Sequence, residues 1–220
     1  MKYMIHACPP RMWYVEEFLI PSMKAQGIKD EEITVWNDEK MEGNLPAFLA
    51  SMKACAKEPG GTWHIQDDVI ISRQFAELTK ENDEGMVCGF HCKNFQWQPA
   101  THGWVPANFM WYSFPCIRIP NDLAGRFVEW FENEGQYRQD AQQQLRDKKH
   151  DDWFFQVFVM DKEVANGLRV LNMIPNLVDH VDYLVGGTLV NQARLIKVNR
   201  ATYFPDPDLV DELEEKLKSR

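Results

Sequence analysis

A chain of 220 residues with 45% apolar, 26% charged and 12% aromatic content can hold one substantial domain with its own core and has the composition of a soluble globular protein. Its 33 acidic against 24 basic residues, net charge of -9 and pI near 5.2 argue against a binder of nucleic-acid backbone. No run of about 18 apolar residues offers a membrane span, and the opening MKYMIHACPP, where charge returns at Arg11, is not expected to act as a secretion signal.

In chain order, residues 2–8 (KYMIHAC) read as a first strand that the Pro9–Pro10 pair breaks. Met12, Val15, Leu19 and Met23 recur at helical spacing; Pro21 is expected to kink that helix and Gly27 to end it. Residues 32–36 (EITVW) form a second strand closed by the turn-forming NDEKMEGN. A second helix over 45–57 carries Leu45, Phe48, Leu49 and Met52 on one face. Residues 62–65 (TWHI) are a third short strand that delivers Gln66, Asp67 and Asp68 at its carboxyl end. Ser72 is expected to cap a helix through Lys80, and residues 85–91 (GMVCGFH) form a fourth strand. This alternation is the pattern of a three-layer α/β/α sandwich with a mostly parallel central sheet.

The second half is less regular. Residues 93–109, rich in Trp, Gln, Pro and Gly, read as a long loop or lid, and 111–119 (WYSFPCIRI) as a strand. A helix over 120–133 has Pro120 and Asp122 as start signals, and 137–149 is a polar, exposed helix or loop. Asp151 and Asp152 open an apolar helix in HDDWFFQVFVMDK. Residues 168–183 lead out of a strand into a loop holding His180. Residues 205–220 read as a solvent-facing terminal helix, a tail to a single domain over 1–204. The five cysteines, Cys8, Cys55, Cys88, Cys92 and Cys116, form an odd, scattered set, which implies reduced thiols and a cytoplasmic chain. Cys88, His91 and Cys92 hint at zinc, but no second Cys/His cluster completes a tetrahedral site.

The acid pair Asp67–Asp68 poses the central question. Neighbouring carboxylates at the mouth of a buried strand repel each other and resist burial, so they need water, a cation or a basic partner. Ligands of parallel sheets bind outside the carboxyl ends of the strands, where Asp38, Asp67 and Asp68 all fall. The plain alternative is an acid pair stabilised by the dipole of a helix starting near Ser72.

The ordered set CPPRM after the first strand, VWND, IQDDV, HDDWF and LVDH resembles the GT-A-type glycosyltransferases, from about residue 2 to residue 190. That resemblance implies transfer of a sugar from a nucleotide-diphosphate sugar, a UDP-sugar first among them, to a hydroxyl of a glycan, protein or other acceptor. It implies Mn²⁺ or Mg²⁺ on the diphosphate, because a hard cation held by carboxylates neutralises the leaving group. Carried over, Asp68 is the direct metal ligand and Asp67 touches the ribose or a bound water, although the common Asp-x-Asp is here Gln-Asp-Asp. His180 is the late histidine supplied to the metal, its ring oriented by Asp179 or Asp182; otherwise it is a surface histidine. Asp151 or Asp152 is the general base on the acceptor hydroxyl, or simply caps its helix. Ala7, Pro9 and Arg11 lie near base and diphosphate, where Arg11 pairs with phosphate or with a surface acid. Asp38 accepts from the uracil or ribose, or forms an Asn-Asp turn. Trp104 stacks on the sugar, or anchors packing. The rival readings are an inactive glycosyltransferase-like module that binds a nucleotide or glycan, and a metal-dependent phosphoester hydrolase. The latter wants a larger acid and histidine cluster than this chain offers.

Overall fold

The computed structural model describes residues 1–81, 85–89, 103–106, 115–141, 145, 151–186, 201 and 204–219, with side chains left aside at 103–106. Strands β1 (Lys2–Ala7), β2 (Ile33–Asn37), β3 (Gly61–Gln66), β5 (Met86–Cys88), β6 (Gly103–Pro106), β7 (Cys116–Pro120) and β8 (Val170–Ile174) build a seven-stranded sheet in the order β2-β1-β3-β7-β5-β8-β6. β1, β2, β3, β5 and β8 share one direction, and β7 and β6 run against it. The expected, mostly parallel sheet is therefore present, with β7 inserted antiparallel between β3 and β5. A second, two-stranded ribbon pairs β4 (Val69–Ile71) with β9 (Val178–His180).

Strand alternation sorts the side chains into two cores. On one face Tyr3, Ile5, Trp63, Ile65, Val87 and Leu171 meet Tyr14, Val15, Leu19 and Met23 of helix α1 (residues 12–25). On the other, Met4, Met86, Ile117 and Ile119 meet α2 (Asn44–Cys55), α4 (Asn121–Asn133) and α5 (Asp151–Phe158). A Phe cluster ties these three helices together: Phe48 lies 5.8 Å from Phe127 and 5.7 Å from Phe155, centroid to centroid. The three-layer sandwich expected from the alternating pattern is what these cores enclose.

Several local expectations need correction. Pro21 perturbs its helix before itself rather than at itself. Lacking an N–H, it cannot continue the regular ladder, and Val15–Leu19 widens into a π turn closed by the Ile20 amide on the Val15 carbonyl. Ser72 caps nothing. The chain after the acids enters β4, and only the short α3 (Phe75–Leu78) follows, so the helix-dipole account of Asp67–Asp68 falls away. His180 lies on strand β9, not in a loop. The segment read as a lid contains β6, whose Trp104 sits in register with Met173 at the sheet edge. The rest of 93–109, the remainder of 142–149 around residue 145, and His91 and Cys92 lie outside the described residues. The terminal helix (Pro207–Lys218) is amphipathic rather than wholly solvent-facing. Val210 and Leu213 are buried in the α1-side core, and Arg73 clasps Asp206 and Asp208. Among the described residues no helix is long and apolar enough to cross a membrane.

Candidate functional site at the carboxyl edge of the sheet

β1, β2 and β3 end together. The Asp38 amide donates to the Ala7 carbonyl at 2.8 Å, which keeps the loop after β2 beside the end of β1. The Asp38 carboxylate receives the amides of Glu42 and Gly43 at 3.3 and 3.4 Å, which folds that loop toward α2. After β1, Pro9–Arg11 forms a single 3-10 turn closed by the Arg11 amide on the Cys8 carbonyl. Two prolines restrict this backbone before the arginine side chain is placed.

Arg11 is the basic partner that the acid pair requires. Its Nη1 lies 2.8 Å from Asp67 Oδ1 and 2.5 Å from Asp68 Oδ2, and the three side chains are only 6–7% exposed. Asp67 Oδ2 accepts from the Cys8 amide at 2.9 Å and from its thiol at 3.2 Å. Asp68 Oδ1 faces His180 Nε2 at 3.2 Å. The ribbon makes that meeting possible: β4 and β9 put Val69 opposite His180, and the Val181 amide donates to the Asp68 carbonyl at 2.8 Å. Asp179 holds the ribbon from behind, its Oδ1 accepting from the amides of His180 and Ala201. Tyr14 of α1 donates to the Val69 carbonyl at 2.8 Å, which fixes the helix that follows Arg11 against the strand that follows the acids.

Electrostatics follow from this packing. Burial alone would raise both acids, yet the His180 and Arg11 charges overturn that for Asp68 and hold its carboxyl below the ordinary range. Burial and the Asp68 charge push Asp67 the other way. Burial opposes the charged form of His180, but the Asp68 carboxylate outweighs it and raises the imidazole above its usual value. Burial, then Asp67, pushes the Cys8 thiol up to about 12, so Cys8 is a donor here and not a nucleophile.

A divalent cation does not fit the donor set so arranged. Arg11 Nη1 stands between the carboxylates where a bridging ion would sit, and the remaining oxygens face Cys8 and His180. Among the described residues no group of three or more His, Cys, Asp or Glu is placed to hold a metal.

The other expected residues stand apart from this cluster. Asp151 and Asp152 open α5, which packs on α2 and α4. Asp151 is buried one turn before Phe155, on the side of the helix turned to Phe48. Burial and the adjacent Asp152 charge raise its carboxyl to about 7, while Asp152 Oδ1 accepts from the Trp153 amide. Ala7 is buried at the end of β1 and Pro9 is exposed in the following turn.

A second polar feature, a histidine pair absent from the sequence-based expectations, lies on the same sheet. His6 Nε2 and His64 Nδ1 are 2.8 Å apart on the sheet face beneath Phe48. Burial lowers His6 to about 4 and holds His64 well below its ordinary value, so both rings are neutral near pH 7. The signal was there in the alternation of β1 and β3, which assigns both rings to one face. Cys8 and Tyr14, also passed over, carried no comparable signal.

No family model and no curated protein matches the chain. Solved structures do. One is TarS 1-349 of S. aureus, at TM-score 0.49 and 13% identity over 84% of this chain and 62% of that one. Another is the inositol-1-phosphate CTP transferase of T. maritima, at 0.47 and 10%, over 99% and 96%. A third is a glycosyltransferase involved in glycosylation of the major capsid of PBCV-1, at 0.47 and 9%, over the whole of both chains. These neighbours are of GT-A-like fold. This chain thus spans about 62% of the TarS structure, and identities so low bring no substrate or residue role across.

Proposed function

We propose that the chain is a glycosyltransferase that moves a sugar from a nucleotide-diphosphate sugar, a UDP-sugar in the first instance, to an acceptor hydroxyl. The observation that supports this most is the buried group of Arg11, Asp67, Asp68 and His180 at the carboxyl edge of β1 and β3, the edge at which parallel sheets receive ligands. A nucleoside diphosphate leaves only when its growing negative charge is met. On this reading the acids do not touch the donor's phosphates. They hold Arg11 charged and aimed, and the Asp68 carboxylate favours the protonated form of His180 at this edge. Ala7, Pro9 and Asp38 border the nucleotide. Asp151 is the better candidate for the base than Asp152, because a carboxyl raised to about 7 is matched to accepting a proton near neutral pH.

Calorimetric titration with UDP and GDP tests the donor class, and release of free nucleotide from the corresponding sugar donors tests turnover. Binding of one nucleotide, lost in Asp68→Ala while the fold is kept, is the expected result; normal binding by that variant would sink the assignment. The mutual balance of charge within the cluster also suits a second reading, a module that holds a nucleotide or glycan without turnover. Nucleotide binding with no sugar release from any donor would favour it.

A further inference from the structure

We infer that Arg11 stands permanently where a divalent cation would bridge Asp67 and Asp68, so that this acid pair works as an arginine-filled site and takes up no metal. A single nitrogen, Nη1, contacts one oxygen of each carboxylate, at 2.8 and 2.5 Å. That is the bridging role a dication would have. The second oxygen of Asp67 is taken by the Cys8 amide and thiol, and the second oxygen of Asp68 faces His180.

A hard dication needs about six oxygen ligands, at roughly 2.0–2.1 Å for Mg²⁺. None can approach without displacing a guanidinium that is itself buried between its acids. Arg11 is also fixed from its own backbone. The Pro9–Arg11 turn closes on Cys8, whose amide is bound to Asp67, and α1 is tied through Tyr14 to the strand following Asp68. Both ends of the contact are thus parts of one small frame, and the arginine is not a mobile surface residue that found the acids by chance. His180 completes the frame from the far half of the chain, again with a nitrogen facing the acid rather than an open position.

The inference about the acids stands on this geometry. Its consequence for donor binding rests on the transferase reading above, and the experiment separates the two. Mn²⁺ alone is titrated into the full chain and followed by calorimetry and by the electron paramagnetic resonance of free Mn²⁺. Wild type is expected to take up no Mn²⁺ tighter than about 1 mM, and Arg11→Ala to bind it at least about tenfold more tightly. If Arg11→Ala does not fold, Arg11→Gln, which keeps an N–H donor without the charge, carries this arm. One-to-one micromolar uptake by wild type that Asp68→Asn removes would overturn the inference. So would a folded Arg11 variant that gains no affinity for Mn²⁺. In parallel, UDP is titrated with Mn²⁺ and with EDTA. Equal affinity in both is expected, and a tenfold loss in EDTA would count against an arginine-filled site. If UDP binds under neither condition, the transferase reading fails while the Mn²⁺ titration still decides the role of Arg11.

Discussion

Two buried polar groups on the same sheet solve the same problem in opposite ways. At the turn between β3 and β4, Asp67 and Asp68 keep charge in a dry place by enclosing a guanidinium and facing an imidazole. Beneath Phe48, His6, His64 and, on the neighbouring helix, Asp151 give charge up, as burial drives each toward its neutral form. Paired charges depend on every partner and are costly to break, whereas neutralised groups are costly only at pH values that would charge them. The carboxyl edge of β1 and β3 therefore holds paired charge, and the α2–α4–α5 side holds neutral groups within its packing.

Removing one member of the charged group breaks the comparison most severely. Arg11→Ala leaves two adjacent carboxylates buried, and a loss of roughly 3–5 kcal/mol in urea unfolding is expected. Adding Asp68→Asn recovers part of it, because a neutral amide needs no counter-charge. An unchanged midpoint in Arg11→Ala would mean that the pair is solvated in solution. Asp151 sharpens the comparison from the neutral side. Its carboxyl sits near 7 against an ordinary 3.8, so between those values the folded chain holds a proton that the unfolded chain has lost. Stability then falls as pH rises through that window. Asp151→Asn is expected to be more stable than wild type at pH 8, by on the order of 2–4 kcal/mol, with the gain vanishing near pH 4. Urea midpoints at the two pH values would show it, and equal gains at both would refute the burial argument.

The histidine pair acts with the opposite sign. Its rings are lowered, so the unfolded chain takes up protons first as pH drops below about 6.5, and stability is lost from there down toward 4. His64→Leu is expected to cost about 1 kcal/mol at pH 8 through the lost hydrogen bond. It should also flatten the acid limb of the stability curve, and an acid limb as steep as wild type would place the titrating groups elsewhere. The smallest effect belongs to Arg73→Ala. Arg73 and Asp208 are exposed, Asp206 keeps the backbone amide of residue 73 as its donor, and no shift in thermal midpoint beyond measurement error is expected.

Much of this architecture was legible beforehand, and the reasons differ by region. Through β3, helical spacing in Met12, Val15, Leu19 and Met23 and short apolar runs bounded by turn residues reported the true elements, since each segment there carries residues into the core. Alternation in β1 and β3 also places His6 and His64 on one face. That Asp67–Asp68 need water, a cation or a basic partner followed from charge repulsion alone, but which of the three did not. Arg11 is joined to the acids by tertiary closure, which leaves no local pattern. The β4–β9 ribbon was invisible for a similar reason. A three-residue strand shows too little periodicity to be distinguished from the start of a helix, and so His180 read as a loop residue. Antiparallel β7 looked like any other strand because direction is not written in composition.

The order β3-β7-β5-β8 has a consequence for the way the protein is made. β1 lies between β2 and β3, so the pairings among these three strands need only the first 66 residues. β5 has no partner among the strands that precede it in the sheet: both of its neighbours, β7 and β8, come later in the chain. During synthesis β5 (Met86–Cys88) therefore has no sheet partner until β7 is made at Cys116–Pro120 and lacks its second until β8 at Val170–Ile174, while Asp68 waits longer still for His180. The pairings of the first three strands need nothing made later, whereas β8 comes near the end of the chain and must be inserted between β5 and β6, both already made, and the core against α1 is completed only by residues from Leu171 onward.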